Sequence, residues 1–554
     1  MTMSELPTQE TLTIEFKSDR GGGYPDSDLV DEIVGMANTE GGTLYLGIED
    51  NGQVTGIVKH HQDPIGLAAL IANCTRPSLS VRTEIIYDHD LPVMVISIPK
   101  SYSVVATASG KLLKRRLKAD GSPEVVPMYP YEIYTRLSDL RKLDFSAQPV
   151  QDGTVDDLDP NQIVRLRETI QNQNGDQQLL SLSDEDLEKA LQLVVRVGEN
   201  VYPTLTGLLL IGKESSLKRL VPTASAVFQV MQGTKVVINE SYRKPIIELV
   251  ELFSEYMKAW NPEKEFEYGL FRIPIPEFSK PAFREGLINA FSHRDYSMMG
   301  SVRVQINDEG LTISNPGGFI EGITLNNLLT AEPYGRNPLL SDALKRIGLA
   351  ERTGRGIDRI FEGSITFGRP WPDYSESTSQ NVILFIARAK ADIPFIQMIM
   401  DEQKAIGHTL SINTLLILSI LYSERKLSGK ELSDKTHISI QRIKPLIETL
   451  IERGLVEEIG HGTHRMLMLS KKTYQKAGKT KEYTRQKGID QVRFPEMILQ
   501  LAQSQNGMIT KMDVVELLHI TKAQAYTILQ QLCETHQLEL NGKGRYARYK
   551  LVVK

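Results

Sequence analysis

The last third of the chain carries the same order of elements twice, and this repetition restricts its possible folds more than any other feature. Residues 410–470 contain two short helical patterns, a turn, a third helix from Ile440 to Arg453 and two strand patterns joined by a glycine-bearing hairpin. Residues 490–554 repeat that order and end in the glycine-tipped segment LELNGKGRYARYKLV. Three helices followed by a β-hairpin are typical of a winged helix-turn-helix. The sequence therefore predicts two such modules, at residues 405–475 and 488–554.

In each predicted module the third helix would enter the major groove of DNA, and the hairpin would contact the phosphate backbone. Polar and basic side chains at the start of these helices and on the hairpins are the candidate contacts. They are Gln441, Arg442, Lys444, His464 and Arg465 in the first module, and Lys522, Gln524, Tyr526, Lys543, Arg545 and Arg548 in the second. The alternative is that the modules dimerise or dock other proteins.

Charge is distributed unevenly along the chain. From residue 400 onward there are 24 Lys and Arg against 16 Asp and Glu, whereas the preceding part has 40 against 53. A basic module on an acidic body is an electrostatic feature of nucleic-acid-binding proteins. We therefore expect double-stranded DNA as a partner, with RNA as a second candidate.

Several classes of protein are disfavoured. No apolar run approaches the roughly 20 residues that span a bilayer, and the polar, acidic segment Met1 to Glu10 does not resemble a signal peptide. The two cysteines, Cys74 and Cys533, lie far apart without neighbouring Cys or His ligands, which argues against a disulfide framework and a structural zinc. We expect a cytoplasmic protein with no membrane partner.

A constellation of polar residues and glycines occupies residues 280–361. Glu285, Asn289 and His293 recur at helical spacing in REGLINAFSHRDYS and so share one helix face. The segments SNPGG and ERTGRGI follow in that order, and the second opens a helix whose N–H groups suit phosphate. An Asn oxygen can coordinate Mg²⁺, and a Glu one turn away can orient water. No G-x-x-x-x-G-K-[ST] motif occurs, so a P-loop ATPase or helicase motor is not supported.

This ordered set, E-x-x-x-N-A-x-x-H-R-D-Y, S-N-P-G-G and E-R-x-G-x-G-I-x-R-I, resembles the divergent GHKL-type ATP-binding domain of predicted bacterial transcriptional regulators. The resemblance implies ATP and Mg²⁺ as cofactors, with Asn289 on the metal. The implied nucleotide-binding residues are Glu285, Asn289, His293, Asn315, Gly317, Gly318, Thr353, Gly354 and Gly356. In one departure, Asn315 stands where the family presents an Asp to the adenine amine. An Asn carbonyl can accept that hydrogen bond, but recognition should be weaker.

The first region contains E-x4-E-F-K, then ANTEGGTLYLGIEDNG with VTGI behind it. This pattern resembles the Schlafen AlbA-like domain, whose ribonuclease members use two glutamates and a downstream acid. The resemblance implies Glu10 and Glu15 as the pair and Glu49 or Asp50 as the third acid, holding metals that activate water. Lys17 would stabilise charge on the phosphate, and the basic segment KLLKRRLK would hold a nucleic-acid backbone. The alternative is that Glu15 and Lys17, which share one face of a strand, form a structural ion pair.

Together these patterns predict an α+β multidomain protein. It would have an AlbA-like α/β domain at 1–145, a connecting α/β region at 155–240, a GHKL-like α/β sandwich at 241–395 and the two winged modules, with residues 146–160 as a linker or surface loop. The favoured function is a DNA-binding, ATP-responsive transcriptional regulator that forms a homodimer. The alternatives are a metal-dependent nuclease of Schlafen type, acting on RNA or single-stranded DNA in phage defence, and a protein-docking scaffold. ATP hydrolysis and phosphodiester cleavage both stay open.

Overall fold

The structure is a computed structural model. It describes residues 6–268, 271–332, 334–351, 354–424, 426–459, 465–470, 473, 494–499, 501–502, 505, 507–518, 522–541 and 548–552. Over these residues the protein is a mixed α+β chain of several regions, each with its own sheet or sheets. None of the described helices combines the length and the apolar character needed to cross a membrane.

The N-terminal region is built on a four-stranded sheet of order β1-β2-β5-β4, in which only the pair β1 and β2 is parallel. Leu29, Ile33 and Met36 of helix α1 are fully buried against this sheet, as their helical spacing predicts. The elements are β1 (Ile14–Lys17), α1 (Asp26–Ala37), β2 (Gly42–Leu46), α2 (Pro64–Asn73), β3 (Thr75–Arg76), β4 (Arg82–Asp88), β5 (Leu91–Ile98), β6 (Ala106–Thr107), β7 (Leu113–Leu117), β8 (Pro123–Pro127) and α3 (Pro130–Asp139).

The connecting region is mainly helical. Its elements are α4 (Pro160–Asn172), α5 (Asp184–Ala190), β9 (Val194–Val197), β10 (Asn200–Pro203), α6 (Leu205–Ile211) and α7 (Glu214–Leu220). Residues 146–160, expected to form a linker or surface loop, are turn-rich but partly buried. The Ser146 hydroxyl accepts a hydrogen bond from the Leu340 amide at 3.2 Å, and Asp157 accepts one from Ser216 at 2.6 Å. Its polar side chains are therefore partners for other elements rather than solvated linker residues.

The central region is a five-stranded sheet of order β12-β11-β15-β16-β17, with a parallel pair at β11 and β15. Helix α9 packs against α8, α11 and strand β16. The elements are β11 (Ser225–Gln232), β12 (Lys235–Tyr242), α8 (Ile246–Trp260), β13 (Glu263–Tyr268), β14 (Phe271–Pro276), α9 (Lys280–His293), β15 (Ser301–Ile306), β16 (Gly310–Pro316), α10 (Pro338–Arg346), α11 (Gly356–Ile365) and β17 (Asn381–Ala387).

Two similar units follow helix α12 (Ile393–Ile406). The first consists of α13 (Ile412–Glu424), β18 (Leu427–Ser428), α14 (Gly429–Thr436), α15 (Ile440–Glu452), β19 (Val456–Ile459) and β20 (Met466–Leu469). The second has a helical segment at 494–499, then β21 (Met508–Thr510), α16 (Lys511–Leu518), α17 (Lys522–Glu534), β22 (Leu538–Asn541) and β23 (Arg548–Leu551). Each contains a three-stranded antiparallel sheet, in which a short strand before the second helix joins the two C-terminal strands that the repeated pattern predicts.

The two C-terminal units differ in how they are packed. The apolar interior of the first is continuous with that of the connecting and central regions, in one cluster that runs from Leu158 to Leu469. The second has its own cluster, centred on Ile498, Leu529 and Tyr549. The first unit therefore shares its hydrophobic core with the connecting and central regions, whereas the described part of the second unit has a separate core.

Candidate functional site

Helix α9 forms one wall of a cavity of about 220 Å³ in the central region. Ser279 caps the helix by accepting a hydrogen bond from the Ala282 amide at 3.4 Å. Glu285, Asn289 and His293 all line the cavity, because residues four apart on a helix share a face. The opposite, apolar face of α9 packs into the interior through Leu287, Phe291 and their neighbours.

The cavity has a polar side and an apolar side. Helices α9, α10 and α11 supply polar groups, including Ser341 and Lys345 of α10, and Glu351 adds another from the segment between α10 and α11. The apolar side comes from the strands β16 and β17, from the loop between β16 and α10, and from Tyr374 in the segment between α11 and β17. Its members are Ile313, Phe319, Ile320, Ile323, Leu328, Leu329, Tyr374, Val382 and Leu384. A pocket with an apolar bed and a few convergent polar groups is typical of small-molecule and nucleotide sites.

Glu285 is buried where α9 meets the first residue of α11. A Cβ atom added to Gly356 would overlap the Glu285 carboxylate, so only glycine allows this approach. Burial raises the pKa of Glu285; Arg359 opposes this shift and Glu351 adds to it. A carboxyl held beside a helix N-terminus in a cavity can orient water or take up a proton.

His293 and Asn315 are two further residues that the sequence predicts to bind nucleotide. Burial, together with the nearby cations Arg336 and Lys345, lowers the pKa of His293 to about 4, so its ring is neutral at pH 7. Asn315 is buried at the end of β16 and donates from Nδ2 to the Pro316 carbonyl at 3.1 Å. That bond uses part of its donor capacity and leaves the Asn315 carbonyl oxygen as the acceptor for a ligand.

Seven of the predicted nucleotide-binding residues thus line one cavity: Glu285, Asn289, His293, Asn315, Gly318, Gly354 and Gly356. Gly317 does not line it and lies against Asp295, where an added Cβ would be 2.8 Å from the Asp295 Cβ. Thr353 lies outside the described residues. Lys345, Tyr334 and Tyr374 also line the cavity, but they belong to no motif whose spacing could have identified them.

The loop between β16 and α10 (residues 317–332 and 334–337, here the cavity loop) is bonded to helix α3 of the N-terminal region. Arg336, only 3% exposed, is 2.7 Å from Asp139 of α3 and donates to the Gly318 carbonyl at 3.0 Å. Arg136 of α3 lies 2.6 Å from Glu321. One wall of the cavity is therefore fixed by charges from another region.

Two further contacts strengthen this junction. The Arg141 guanidinium stacks 4.0 Å from the Tyr334 ring centroid, and the Thr135 hydroxyl donates to Asp295 at 2.6 Å. Asp295 belongs to the H-R-D-Y segment of the predicted nucleotide-binding motif, which gave no sign of this contact. Burial raises the pKa of Asp139 to about 6, against the influence of Arg336.

The N-terminal carboxylates have a different arrangement from the cavity residues. Glu15 is 4% exposed and forms ion pairs with Arg115 and Lys17. Although burial opposes the charge of Lys17, its pairs with Glu15 and Glu32 raise its pKa. The alternative prediction for Glu15 and Lys17, a structural ion pair, matches this geometry.

The other candidate acids are more accessible. Burial raises the pKa of Glu10, which accepts a hydrogen bond from the Phe16 amide at 3.0 Å and senses the negative charges of Glu15 and Asp50. Glu49 accepts hydrogen bonds from Thr55 and Ser18, both at 2.8 Å, which lower its pKa. Within the described part of the chain, these acids do not bring three ligand atoms within 4.8 Å of one another.

Most cations of the basic segment KLLKRRLK form ion pairs within the N-terminal region, although Lys111 and Arg116 are exposed. Arg115 is buried, Lys111 lies 2.5 Å from Asp31 and Arg116 lies 2.7 Å from Glu124. Lys114 pairs with Glu132. The expectation that this segment holds a nucleic-acid backbone stays a prediction, and a phosphate backbone would have to compete with these carboxylates for its cations.

The predicted DNA contacts fall on both C-terminal units. Gln441, Arg442 and Lys444 are exposed at the start of α15, and Arg465 pairs with Glu458 at 3.2 Å. Lys522 and Tyr526 are exposed on α17, and Arg548 is exposed on β23. His464, Lys543 and Arg545 lie outside the described residues, as does the side chain of Gln524.

Comparison with known proteins identifies three segments. Residues 10–121 match the family "Schlafen, AlbA_2", and residues 300–385 match the family "Putative ATP-dependent DNA helicase recG C-terminal". Residues 135–226 match a domain of unknown function, DUF8451, which covers most of the connecting region. No curated protein sequence matches the chain.

The crystal structure of the DIP2311 protein from Corynebacterium diphtheriae has a similar fold. The match covers 98% of this chain and 95% of that chain, with a TM-score of 0.50 and 19% sequence identity. At this identity the likeness concerns the fold alone. The chain thus has a Schlafen AlbA_2 domain at its N-terminus and, further along, a recG-like C-terminal domain of the HATPase_c_4 type.

Proposed function

We propose that this protein is a nucleotide-responsive, nucleic-acid-binding regulator. ATP with Mg²⁺ would occupy the cavity, with Asn289 on the metal, Glu285 beside the phosphates and Asn315 at the adenine. The two C-terminal units would act as winged helices that bind duplex DNA through α15, α17 and their hairpins. The match to a Schlafen domain and to a helicase-associated ATPase-like domain supports a nucleic-acid-related role.

One observation carries the proposal: the walls of the cavity also contact the regions that would bind nucleic acid. Helix α11, whose first residue faces Glu285, packs against α13 of the first C-terminal unit. Nearby, the Trp371 indole donates to Ser419 of α13 at 3.0 Å. The cavity loop is bonded to α3 of the N-terminal region through Arg336 and Asp139. A ligand that moves α11 or the cavity loop would therefore act on both regions.

Regulation requires that nucleotide bind two arrangements of these walls with unequal affinity, because a ligand with equal affinity for both shifts nothing. Such a change would act at the charged junction between Arg336, Asp139 and Asp295, because its buried ion pairs hold the cavity loop against α3. By linkage, nucleic acid would change the affinity for ATP by the same factor.

The test is a fluorescence-anisotropy titration of the full chain with duplex DNA, with and without ATP and Mg²⁺. We expect nucleotide to change the dissociation constant by a factor of about 5 to 150. N289A should remove this change without altering affinity in the absence of ATP. N239A, at an exposed position on β12 away from the cavity, is the matched control. Equal DNA affinity with ATP bound and absent would refute the regulatory role.

The same samples address the nuclease alternative. The wild-type protein is incubated with transfer RNA or single-stranded DNA in Mg²⁺ or Mn²⁺, and the substrate is examined on a denaturing gel. Because the Glu15 carboxylate is already paired with Arg115, we expect the substrate to remain uncleaved. Cleavage that E10A abolishes would instead support the nuclease.

A further inference from the structure

A second group of potential ligands lies in the N-terminal region, apart from the nucleotide cavity. One ligand atom each from Asp26, His60 and His61 lies within 4.8 Å of the other two. Asp26 is the first residue of α1, and the two histidines occupy a short 3-10 turn at Lys59–Gln62. His61 is 1% exposed, whereas His60 and Asp26 face the surface.

A buried carboxylate fixes the orientation of the His61 ring. Asp19, 1% exposed, lies 2.9 and 3.0 Å from His61 Nδ1 through its two oxygens. The same carboxylate accepts hydrogen bonds from the Tyr24 amide at 2.6 Å and the Val58 amide at 2.7 Å. Because Asp19 acts only as an acceptor, Nδ1 of His61 carries the hydrogen and Nε2 presents its lone pair outward.

That lone pair faces another acceptor. His61 Nε2 lies 3.2 Å from Asp26 Oδ1, and two acceptors at this distance repel each other unless a cation lies between them. The cation is either a proton on the ring or a metal ion. A tetrahedral metal with bonds of about 2.1 Å places its ligand atoms roughly 3.4 Å apart, close to the observed separation.

The position of His60 distinguishes between these two cations. Its ring lies 3.9 Å from that of His61, centroid to centroid, and its ligand atom joins the group. The ring fits there because residue 23 is glycine: at its φ of +98°, an added Cβ would be 2.6 Å from His60 Cε1. A proton shared by Asp26 and His61 needs no third donor, whereas a metal ion does.

We propose that Asp26, His60 and His61 bind a divalent transition-metal ion of the zinc class. Imidazole ligands favour zinc, cobalt or nickel over magnesium and calcium. An aspartate that orients a ligating histidine through its other nitrogen, as Asp19 does, is a recurrent feature of such sites. Three protein ligands leave a fourth position for water or a phosphate oxygen. Because Asp26 and His60 are exposed, that opening faces the protein's exterior.

This site is independent of the proposed nucleotide response. It would join the start of α1 to the segment at residues 57–62, both of which flank the glycine loop at residues 21–23. The wide separation of Cys74 and Cys533 does not exclude this site, because none of its ligands is a cysteine.

The experiment uses the full chain freed of metal by chelation and then titrated calorimetrically with Zn²⁺. Co²⁺ serves as a second probe, because its visible absorption distinguishes tetrahedral from octahedral ligation. We expect H60A and D26N each to lose one equivalent of high-affinity metal and the tetrahedral cobalt spectrum. H89N, at an exposed histidine of the same region, should behave as the wild type.

Two positioning variants and a check of folding complete the test. D19N should weaken metal affinity by about 10- to 100-fold, and G23A should weaken it by displacing His60. Circular dichroism without metal checks that each variant is folded. Wild-type-like zinc binding by both H60A and D26N would overturn the proposal.

Discussion

The sequence predicts one group of site residues in the central region and another among the N-terminal acids, and the structure arranges the two groups differently. In the cavity, Glu285, Asn289 and His293 converge because one helix carries all three. In the N-terminal region, Glu15 is a strand residue whose charge is taken up by Arg115, 100 positions away. Residue spacing within one helix therefore predicts which side chains lie together in the folded protein. It does not predict which side chain from a distant element will pair with a carboxylate. Four predictions test this contrast, from the largest expected effect to the smallest.

The largest effect is expected at Arg115. R115A leaves the Glu15 carboxylate buried beside Lys17 without its guanidinium partner. Truncating one partner of a buried pair costs about 3–5 kcal/mol, so we expect a loss of that order in the free energy of unfolding, measured with urea. R116A is the control, because Arg116 is on the same strand but exposed, and should cost about 1 kcal/mol or less. Wild-type stability of R115A would remove the contrast.

The next effect concerns Gly356. G356A places a methyl group onto the Glu285 carboxylate, so the carboxylate or α11 must move. We expect a loss of about 1–3 kcal/mol in unfolding free energy and a loss of affinity for a fluorescent ATP analogue. G429A, at a helical glycine with open space around it, is the matched control and should retain both properties. Unchanged nucleotide affinity in G356A would show that the contact has no part in binding.

A third prediction concerns the junction between the two regions. The pKa of Asp139 is about 6 in the folded protein against an ordinary 3.8, because the carboxyl is buried. The folded state thus holds this proton more tightly, and its contribution to stability is complete below pH 4 and is lost as pH rises through 6. D139N should remove on the order of 1–2 kcal/mol of this pH dependence.

The measurement compares the two proteins by chemical unfolding at pH 5 and pH 7.5. Other groups titrate equally in both, so the difference between wild type and D139N reports Asp139. Identical pH profiles would mean that the α3 junction does not hold the proton.

The smallest effect is expected on the exposed surface of α15, where side chains are accessible to a partner. K444A should weaken DNA binding by about 1 kcal/mol or less. It should also reduce the slope of log affinity against log salt concentration by about 1. K404A, at an exposed lysine of α12, should leave both unchanged. An unaltered salt dependence in K444A would argue for protein docking rather than DNA binding by this unit.

The sequence predicted local structure better than it predicted contacts between regions. The spacing of Leu29, Ile33 and Met36 predicts the helix found at Asp26–Ala37, and the apolar run after Gly41-Gly42 predicts the strand found at Gly42–Leu46. The apolar run from Leu205 to Ile211 predicts a buried element without specifying its type, and the structure shows a helix. Lys345 and Tyr374 reach the cavity from separate elements, and nothing in their neighbourhood marks them. Likewise Asp26 and His61 are 35 residues apart, so their contact depends on how α1 and the turn at Lys59–Gln62 pack.

The apolar cluster shared by residues 158–469 determines how this protein can be divided. A boundary placed near residue 400 would cut through one interior, and the fragment on either side would present to water the leucines that had faced each other. Such a fragment would be prone to aggregate, so its failure to bind DNA would say little about where DNA binds. The unit that begins near residue 494 has its own interior and is the natural candidate for exchange between relatives or for study in isolation.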